Sequence, residues 1–377
     1  MRRSALGSMQ VQERTFFKRF DINLALLIFS LNVIGLINLY SATHGVNVTH
    51  TSRLFSQQIF WLIAGWTVYF VTTLIDYNII RRLSYVFYGA NIAAMLAVMF
   101  VGKKFYGAQR WLDLGFFRYQ PSETMKLAII LVLAHIFANK KNLRELGLKD
   151  MLYPAIITAI PFVLTVKQPD LGTGLLLVAI ASSMIIFIGI KRSILISAIL
   201  AALIASPIVW NFGMKEYQKN RVLTFLDPGR DPRGTGYNSI QSKIAVGSGK
   251  LLGKGFLKGT QSQLEFLPER HTDFIFSVLS EEHGFIGSIT TFVLFIILFF
   301  MGLKNATQAK DRYGALVIVG VMSYLFWHVF VNIGMVIGLL PIVGVPLPLL
   351  SYGGSSLLST MFGLGLCSSV AYRRYLF

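Results

Sequence analysis

The sequence predicts an all-α polytopic membrane protein of about ten transmembrane helices, with one large extracytoplasmic loop between helices 7 and 8. Three observations predict it. Of the 377 residues, 54% are hydrophobic and only 14% charged, too apolar for a soluble domain wrapped in a polar surface. Ten apolar runs come near the roughly 20 residues needed to cross about 30 Å of hydrocarbon. Lys and Arg gather in alternate loops, as they do on the cytoplasmic side of membrane proteins.

The first run, near 22–43, is too long for a signal-peptide core and lacks a small-x-small cleavage site, so it reads as a retained span. Residues 1–21 before it form a basic tail. Further runs lie near 57–75, 80–101, 122–138, 151–166, 171–190 and 193–211, then, after a long polar stretch at 212–272, near 275–303, 313–340 and 351–372. Residues 22–377 thus read as a single membrane domain. With ten spans the termini share a side, and placing them in the cytoplasm puts 18 Lys and Arg inside against 7 in the short outer loops. The stretch 212–272 then faces outward. The net charge of +18 mostly marks the inner face of a membrane protein and does not call for nucleic acid. The outward basic residues ask for an anionic partner at the outer surface, with phosphate-bearing lipid the first candidate. Cys367, the single cysteine, lies in the last span and excludes an intrachain disulfide.

The outer segments carry polar residues in blocks. "KKFYGAQRWLDLGFFRYQPSETMKLA" holds Arg110, Asp113, Arg118, Glu123 and Lys126. Glu123 and Lys126 follow Pro121 and Ser122, a helix start, and at spacing three they share one face of the fourth span. They are either an ion pair holding the helix mouth or phosphate and sugar contacts lining an outer cavity. "KQPDLGTG" is a turn by its Pro169 and Gly172, and Asp170 in it serves turn chemistry or substrate. In the long loop, Gly247, Gly249 and Lys250 do not make a P-loop: no Ser or Thr follows Lys250, and no strand precedes it. Ile240, Ile244 and Leu251 with Lys243 and Lys250 interleaved suggest a short amphipathic helix on the outer lipid surface, and Lys243 is either an anchor or a substrate contact.

"FLPERHTDFIFSVLSEEHG" (266–284) opens the eighth span. Thr272 reads as a helix cap, and Asp273, Ser277 and Glu281 recur every fourth residue as one polar stripe. A continuous helix from 273 to 303 would be about 46 Å long, more than a bilayer needs, so its first turns must protrude, bend or line a wet cavity. Capping suits Asp273 but leaves Glu269, Arg270 and His271 without a purpose. His328 and Asn332, four apart in the ninth span, read as a satisfied helix contact.

The motifs "QRWLDLG", "QPSETMKLA", "QPDLGT", "DPGRDPRGTGYNSIQSKIAVGSG", "GTQSQLEFLPERHTDFIFSVLSEE" and "GLLPIVGVPLPLLSYGGSS" resemble, in that order, those of the SEDS proteins (shape, elongation, division and sporulation). The last two are more similar to the RodA branch than to FtsW. The resemblance implies a ten-helix peptidoglycan glycosyltransferase that polymerises lipid II on the outer face of the bacterial cytoplasmic membrane during elongation. It also implies a class B penicillin-binding protein as transpeptidase partner. It makes Asp273, in "HTDF", the essential acid, and Arg53 (in "TSRLFSQQ"), Arg118, Glu123, Lys126 and Asp170 cavity residues. Arg110 and Lys243 join them as candidate substrate contacts. The implied chemistry is inverting, with polyprenyl pyrophosphate as leaving group. One base suffices, and the departing charge needs neutralising by Arg, Lys or a divalent cation. A magnesium or manganese ion would rest on carboxylates and lipid phosphates, and the sequence does not place it. A lipid II flippase would need charges along a path near the bilayer midplane, and a scaffold would not need Asp273 or Lys126.

Overall fold

The computed structural model describes residues 20–44, 48–105, 108–113, 115, 117–140, 146–232, 234–264 and 266–374. Nearly all of the basic tail, residues 1–19, lies outside them. Ten helices among the described residues are long and apolar enough to cross a membrane. They are α1 (Ile22–Thr43), α2 (Val48–Leu74), α3 (Tyr77–Val101), α4 (Pro121–Ala138), α5 (Leu148–Lys167), α6 (Leu171–Ile188), α7 (Arg192–Ile208), α11 (Ile275–Thr307), α12 (Arg312–Val336) and α13 (Gly354–Arg373). Between α7 and α11 lie three shorter helices, α8 (Glu216–Leu226), α9 (Thr235–Ser248) and α10 (Thr260–Gln263). The segment between α3 and α4, which carried no strand signal in the sequence, folds as a small antiparallel sheet of β1 (Lys103–Phe105), β2 (Ala108–Asp113) and β3 (Arg118–Tyr119).

Acidic caps start several spans. Asp21, Asp76, Asp170 and Asp311 accept backbone N–H groups at the first turns of α1, α3, α6 and α12, each satisfying a donor that the helix leaves unpaired. Helix α4 is central: it packs on α3, α12 and α6, and 78% of its span is buried. Helix α7 buries no residue at all and lies at the periphery. In α5, Pro161 has no N–H for the Ile157 carbonyl, and the Tyr88 hydroxyl donates to that oxygen instead at 2.8 Å. Helix α2 starts nine residues before the predicted span because nothing in "VTHTSRLFSQQ" breaks it, so Arg53 stands on a helix. Helix α12 stops at Val336, short of the predicted 340, where Gly338 takes a left-handed conformation (φ 77°).

The eighth span departs most from its reading. It is not one continuous helix from 273. Phe274 is the N-cap, Asp273 lies before the first turn, and Thr272 does not cap but donates to the Glu269 carbonyl. The helix is also broken at Gly284 (φ 64°, ψ −159°). The segment after α9 fills the break. Phe285 and Ile286 donate their N–H groups to the carbonyls of Lys250 and Leu251, while the Glu281 and Glu282 carbonyls accept from the N–H groups of Lys254 and Gly255. In an unbroken helix Phe285 and Ile286 would have bonded Glu281 and Glu282 themselves. Two helical hydrogen bonds are thus exchanged for four with a wedge, and the Phe285 and Ile286 N–H groups and the Glu281 and Glu282 carbonyls all stay paired. The carboxylates of the same glutamates brace the junction: Glu281 accepts from Lys254 Nζ of the wedge at 2.7 Å and from Gln261 N of α10 at 3.1 Å, and Glu282 accepts from Ser41 Oγ of α1 at 2.5 Å. Glu281, read as part of a polar stripe, is with Glu282 a structural latch.

The wedge requires glycine. A Cβ on Gly253 (φ 79°) would stand 2.1 Å from the Glu282 carbonyl oxygen, whereas one on Gly247, in α9, meets nothing within 4 Å. Gly253→Ala is therefore expected to cost at least about 1–3 kcal/mol from the backbone conformation alone, and Gly247→Ala to be neutral or slightly stabilising. Thermal unfolding in detergent checks this; equal midpoints for the two variants would contradict the wedge.

Candidate active site

Asp273 is seated by its backbone. The carbonyls of His271, Thr272 and Asp273 each accept one hydrogen bond, the first two from the segment that closes the bundle, Tyr352 N at 2.9 Å and Ser351 Oγ at 2.6 Å, and the third from α12, Asn332 Nδ2 at 2.8 Å. Asn332 also donates to the Val345 carbonyl at 2.7 Å, and Ser351 Oγ accepts from Leu347 N. Residues 271–273 and 343–352 are thereby stitched into one ribbon pair. The Asp273 carboxylate lies against Gly344, where a Cβ would stand 3.2 Å from Oδ2. Among the described residues no hydrogen-bond donor reaches that carboxylate. Part of the side chain meets solvent, but the protein packed around it penalises the charged form. Burial first, then Glu269, push its pKa up to about 7 against the lowering influence of Arg221 and Arg110. A carboxylate so poised is a base near neutral pH.

Two sets of arginines lie near this ribbon. Arg110, on β2, donates to the carbonyls of Gln168 and Pro169, and its Nε lies 3.8 Å from an Asp170 oxygen. Asp170 is buried as the α6 cap, with Thr173 donating to it at 2.9 Å, so it supports Arg110 while serving the turn. Arg53 from α2 and Arg118 from β3 both act electrostatically on Tyr352, whose hydroxyl donates to Gln57 at 2.7 Å. Tyr352 is the residue whose N–H holds His271, so this second pair borders the Asp273 ribbon.

Glu123 and Lys126 do not line an open cavity. Lys126 is fully buried, its ammonium 2.7 Å from Glu123 Oε1 and 2.8 Å from His328 Nε2, with the Tyr324 ring 5.3 Å away. Since an ammonium has only donors, Nε2 must accept, which puts the imidazole proton on Nδ1, facing the Pro346 carbonyl at 3.5 Å. His328 and Asn332 are therefore not each other's contact: one takes Lys126, the other Asp273. Lys243 is exposed on α9 with its side chain over Gly338. Ile240 and Ile244 are also exposed on α9. The sequence reading missed Arg221, Asn332 and His328 as site residues. Among the described residues no three His, Cys, Asp or Glu side chains come together as a metal cluster would require.

This arrangement has relatives. The model of the family described as "Cell cycle protein" (FtsW/RodA/SpoVE) matches residues 22–376. The chain belongs to this family, as its motifs implied. It is 41% identical over 365 residues to "Peptidoglycan glycosyltransferase MrdB" of Escherichia coli strain K12, covering 96% of each chain. It is 31% identical to "Peptidoglycan glycosyltransferase RodA" of Treponema pallidum, over 94% of this chain and 98% of the relative. A chain of a solved structure titled "Structural coordination of polymerization and crosslinking by a peptidoglycan synthase complex" superposes with a TM-score of 0.81 at 30% identity, over 95% of this chain and 99% of that one. The crystal structure of the rod shape determining protein RodA of Thermus thermophilus superposes with a TM-score of 0.70 at 27% identity, over 95% and 98%.

The buried pair sets a test. Removing either Glu123 or Lys126 strands the other charge in the interior, at about 3–5 kcal/mol. Glu123→Gln and Lys126→Met should each lower the unfolding midpoint sharply, and the double variant should recover part of the loss. Strictly additive losses would mean that the two charges do not act as a pair.

Proposed function

We propose that this chain is a peptidoglycan glycosyltransferase that polymerises lipid II into glycan strands, with Asp273 as the general base. Its family, its relatives' names and its site chemistry support this reading; the observation that carries it is a pinned acid with an unpartnered carboxylate and a pKa near 7, flanked by arginines. In the reaction, an acceptor sugar hydroxyl gives its proton to Asp273 while its oxygen attacks the anomeric carbon of the donor. The bond from that carbon to the phosphate oxygen breaks, its electron pair stays with the polyprenyl diphosphate, and configuration inverts. Arginine neutralises the departing charge without a general acid, with Arg53, Arg110 and Arg118 as candidate contacts. A magnesium or manganese ion would come bound to the diphosphate, and among the described residues no three His, Cys, Asp or Glu side chains gather to hold one; no step here depends on it. The flippase alternative is less well supported, because the buried charges of α4, Glu123 and Lys126, are committed to each other and to His328 rather than laid out along a path.

Asp273→Asn keeps the shape and removes the base. Polymer formed from lipid II by purified protein in detergent, assayed with and without a class B penicillin-binding protein, should fall at least about a hundredfold, while lipid II binding holds. In the parental protein the base must be ionised, so kcat/KM should be level above about pH 7 and fall roughly tenfold per unit below it. Polymerisation by the Asn variant at the parental rate would remove Asp273 from the mechanism.

The reading also places both termini in the cytoplasm and the Asp273 end of the bundle outside, where a transpeptidase partner would take the strand. Glu216, at the start of α8, has a side chain 85% exposed, and Cys367 is fully buried. In a Cys367→Ala background, Glu216→Cys should react with an impermeant thiol reagent added to intact spheroplasts. Reaction only after lysis would reverse the topology.

A further inference from the structure

The segment that fills the break at Gly284 has a tip that the protein leaves uncovered. Leu251 and Leu252 are 68% and 78% exposed, and Phe256 is 42% exposed. Helix α9 stops at Ser248, so none of the three lies on it. Lys250 and Leu257, which bracket the tip, both take left-handed backbone conformations (φ 49° and 61°) that disfavour a side chain. A turn held against its preference, with its apolar side chains exposed, marks a surface that something else covers.

The level of the tip follows from α11. Between Phe285 and Lys304 that helix carries no charge and runs about 29 Å at 1.5 Å per residue, close to the roughly 30 Å of a hydrocarbon layer. Phe285 therefore stands at one edge of that layer. Its N–H and that of Ile286 donate to the carbonyls of Lys250 and Leu251, which sets the tip at the same edge. The helices flanking the tip present apolar stripes there. On α11, Phe285, Ile289 and Phe292 form an exposed stripe at helical spacing; on α1, Phe29, Val33, Ile37 and Tyr40 form another. Phe256 stacks on Tyr40 at the crown of the α1 stripe, ring centroids 6.3 Å apart and planes inclined by 17°. Membrane–water interfaces favour aromatic rings at that level. The tip thus continues two surfaces that face acyl chains. Its charges complete the match: Lys250 and Lys258 are exposed and, among the described residues, in no ion pair, while Lys254 between them is paired with Glu281 at 2.7 Å.

We propose that residues 250–258 are a foot set into the lipid leaflet on the Asp273 side, the outer one in the topology above. Leu251, Leu252 and Phe256 enter the top of the acyl region, and the ammonium groups of Lys250 and Lys258 sit among the phosphates of anionic phospholipid. The foot is an anchor and takes no part in the reaction at Asp273. It fixes to the leaflet the same turn that fills the break in α11, and so fixes the level at which residues 275–283 and Asp273 are held.

The test reads the surroundings of the foot in the full chain, in a Cys367→Ala background. Leu252→Cys and, as an aqueous reference, Arg230→Cys in the charged turn 227–231 are labelled with bimane. Each is reconstituted in vesicles of phosphatidylethanolamine and phosphatidylglycerol, with and without a class B penicillin-binding protein. Lipid carrying a nitroxide high on its acyl chain should quench the label at 252 at least about threefold more than that at 230, and iodide should show the opposite order. A label at 252 that iodide reaches as freely as it reaches 230 overturns the foot. So does one that loses access to both quenchers once the penicillin-binding protein is added, since the face is then a protein interface. For the lysines, nitroxide-labelled phosphatidylglycerol should quench at 252 at least about twofold more than nitroxide-labelled phosphatidylcholine at equal mole fraction. Lys250→Gln combined with Lys258→Gln should remove that excess. Equal quenching by the two lipids before the lysines are changed would overturn their assignment to anionic lipid. Should a label at 252 disturb the fold, Phe256→Cys repeats the measurement with the same outcomes.

Discussion

Three consecutive carbonyls, those of His271, Thr272 and Asp273, each accept one hydrogen bond, two from the closing segment of the bundle and one from Asn332 of α12, and the geometry of the site depends on that pinning. Buried backbone groups must be paired. Before the first turn of α11 they have no helical partner, so the chain satisfies them with Tyr352, Ser351 and Asn332. The consequence is that Asp273 is held by its main chain and its carboxylate stays uncommitted. A catalytic base held by its own oxygens would have its basicity spent on the hold. Asn332 matters most here because one amide nitrogen serves both Asp273 and Val345, fixing the acid against the turn that carries Gly344.

Behind that ribbon the break at Gly284 sets the depth of the site. From 285 to 307 the helix alone would be about 34 Å long, already enough for the hydrocarbon layer. The nine residues from Ile275 to His283 are then free to be packed within protein, and non-helical backbone at membrane level is tolerated only where protein covers it. The wedge of residues 250–255 supplies that cover, Glu281 fastens it through Lys254, and Glu282 ties the same turn to α1 through Ser41. The buried Lys126 plays the matching part on the opposite side: through His328 it reaches the Pro346 carbonyl. The segment 343–352 is thus held from α12, from α4 by way of His328, and from residues 271–273.

What the sequence made legible follows the range of its signals. Apolar length located all ten spans, because the bilayer imposes that length wherever the chain crosses. Asp273, Asp170, Glu123 and Lys126 were legible through local motifs and through i, i+3 spacing. Asn332, His328 and Arg221 were not, since each acts on residues distant in sequence: Asn332 on Asp273, His328 on Lys126, Arg221 on Val343. Spacing four between His328 and Asn332 suggested a mutual contact, and tertiary packing gave each another partner. The continuous helix from 273 failed for a comparable reason. Gly284 inside an apolar run looks tolerable, and only the inserted segment, some 30 residues upstream, makes a break there favourable.

The electrostatics of the proposed reaction explain why an acid with a raised pKa belongs among arginines. Before reaction Asp273 is the anion and the arginines lower its basicity. A diphosphate bound to those arginines offsets their charge, so the base strengthens when substrate is in place. As the acceptor proton moves to Asp273, negative charge leaves the carboxylate and appears on the departing phosphate. The arginines therefore exchange one anion for another, and the total charge of the site stays constant through the transfer. In a partly buried site, where creating net charge is costly, conserving it keeps the barrier low and needs no second ionisable group to protonate the leaving oxygen. The same accounting assigns Glu269 a role: an exposed acid that acts on Asp273 at long range raises its basicity without competing for the proton at the reacting oxygen.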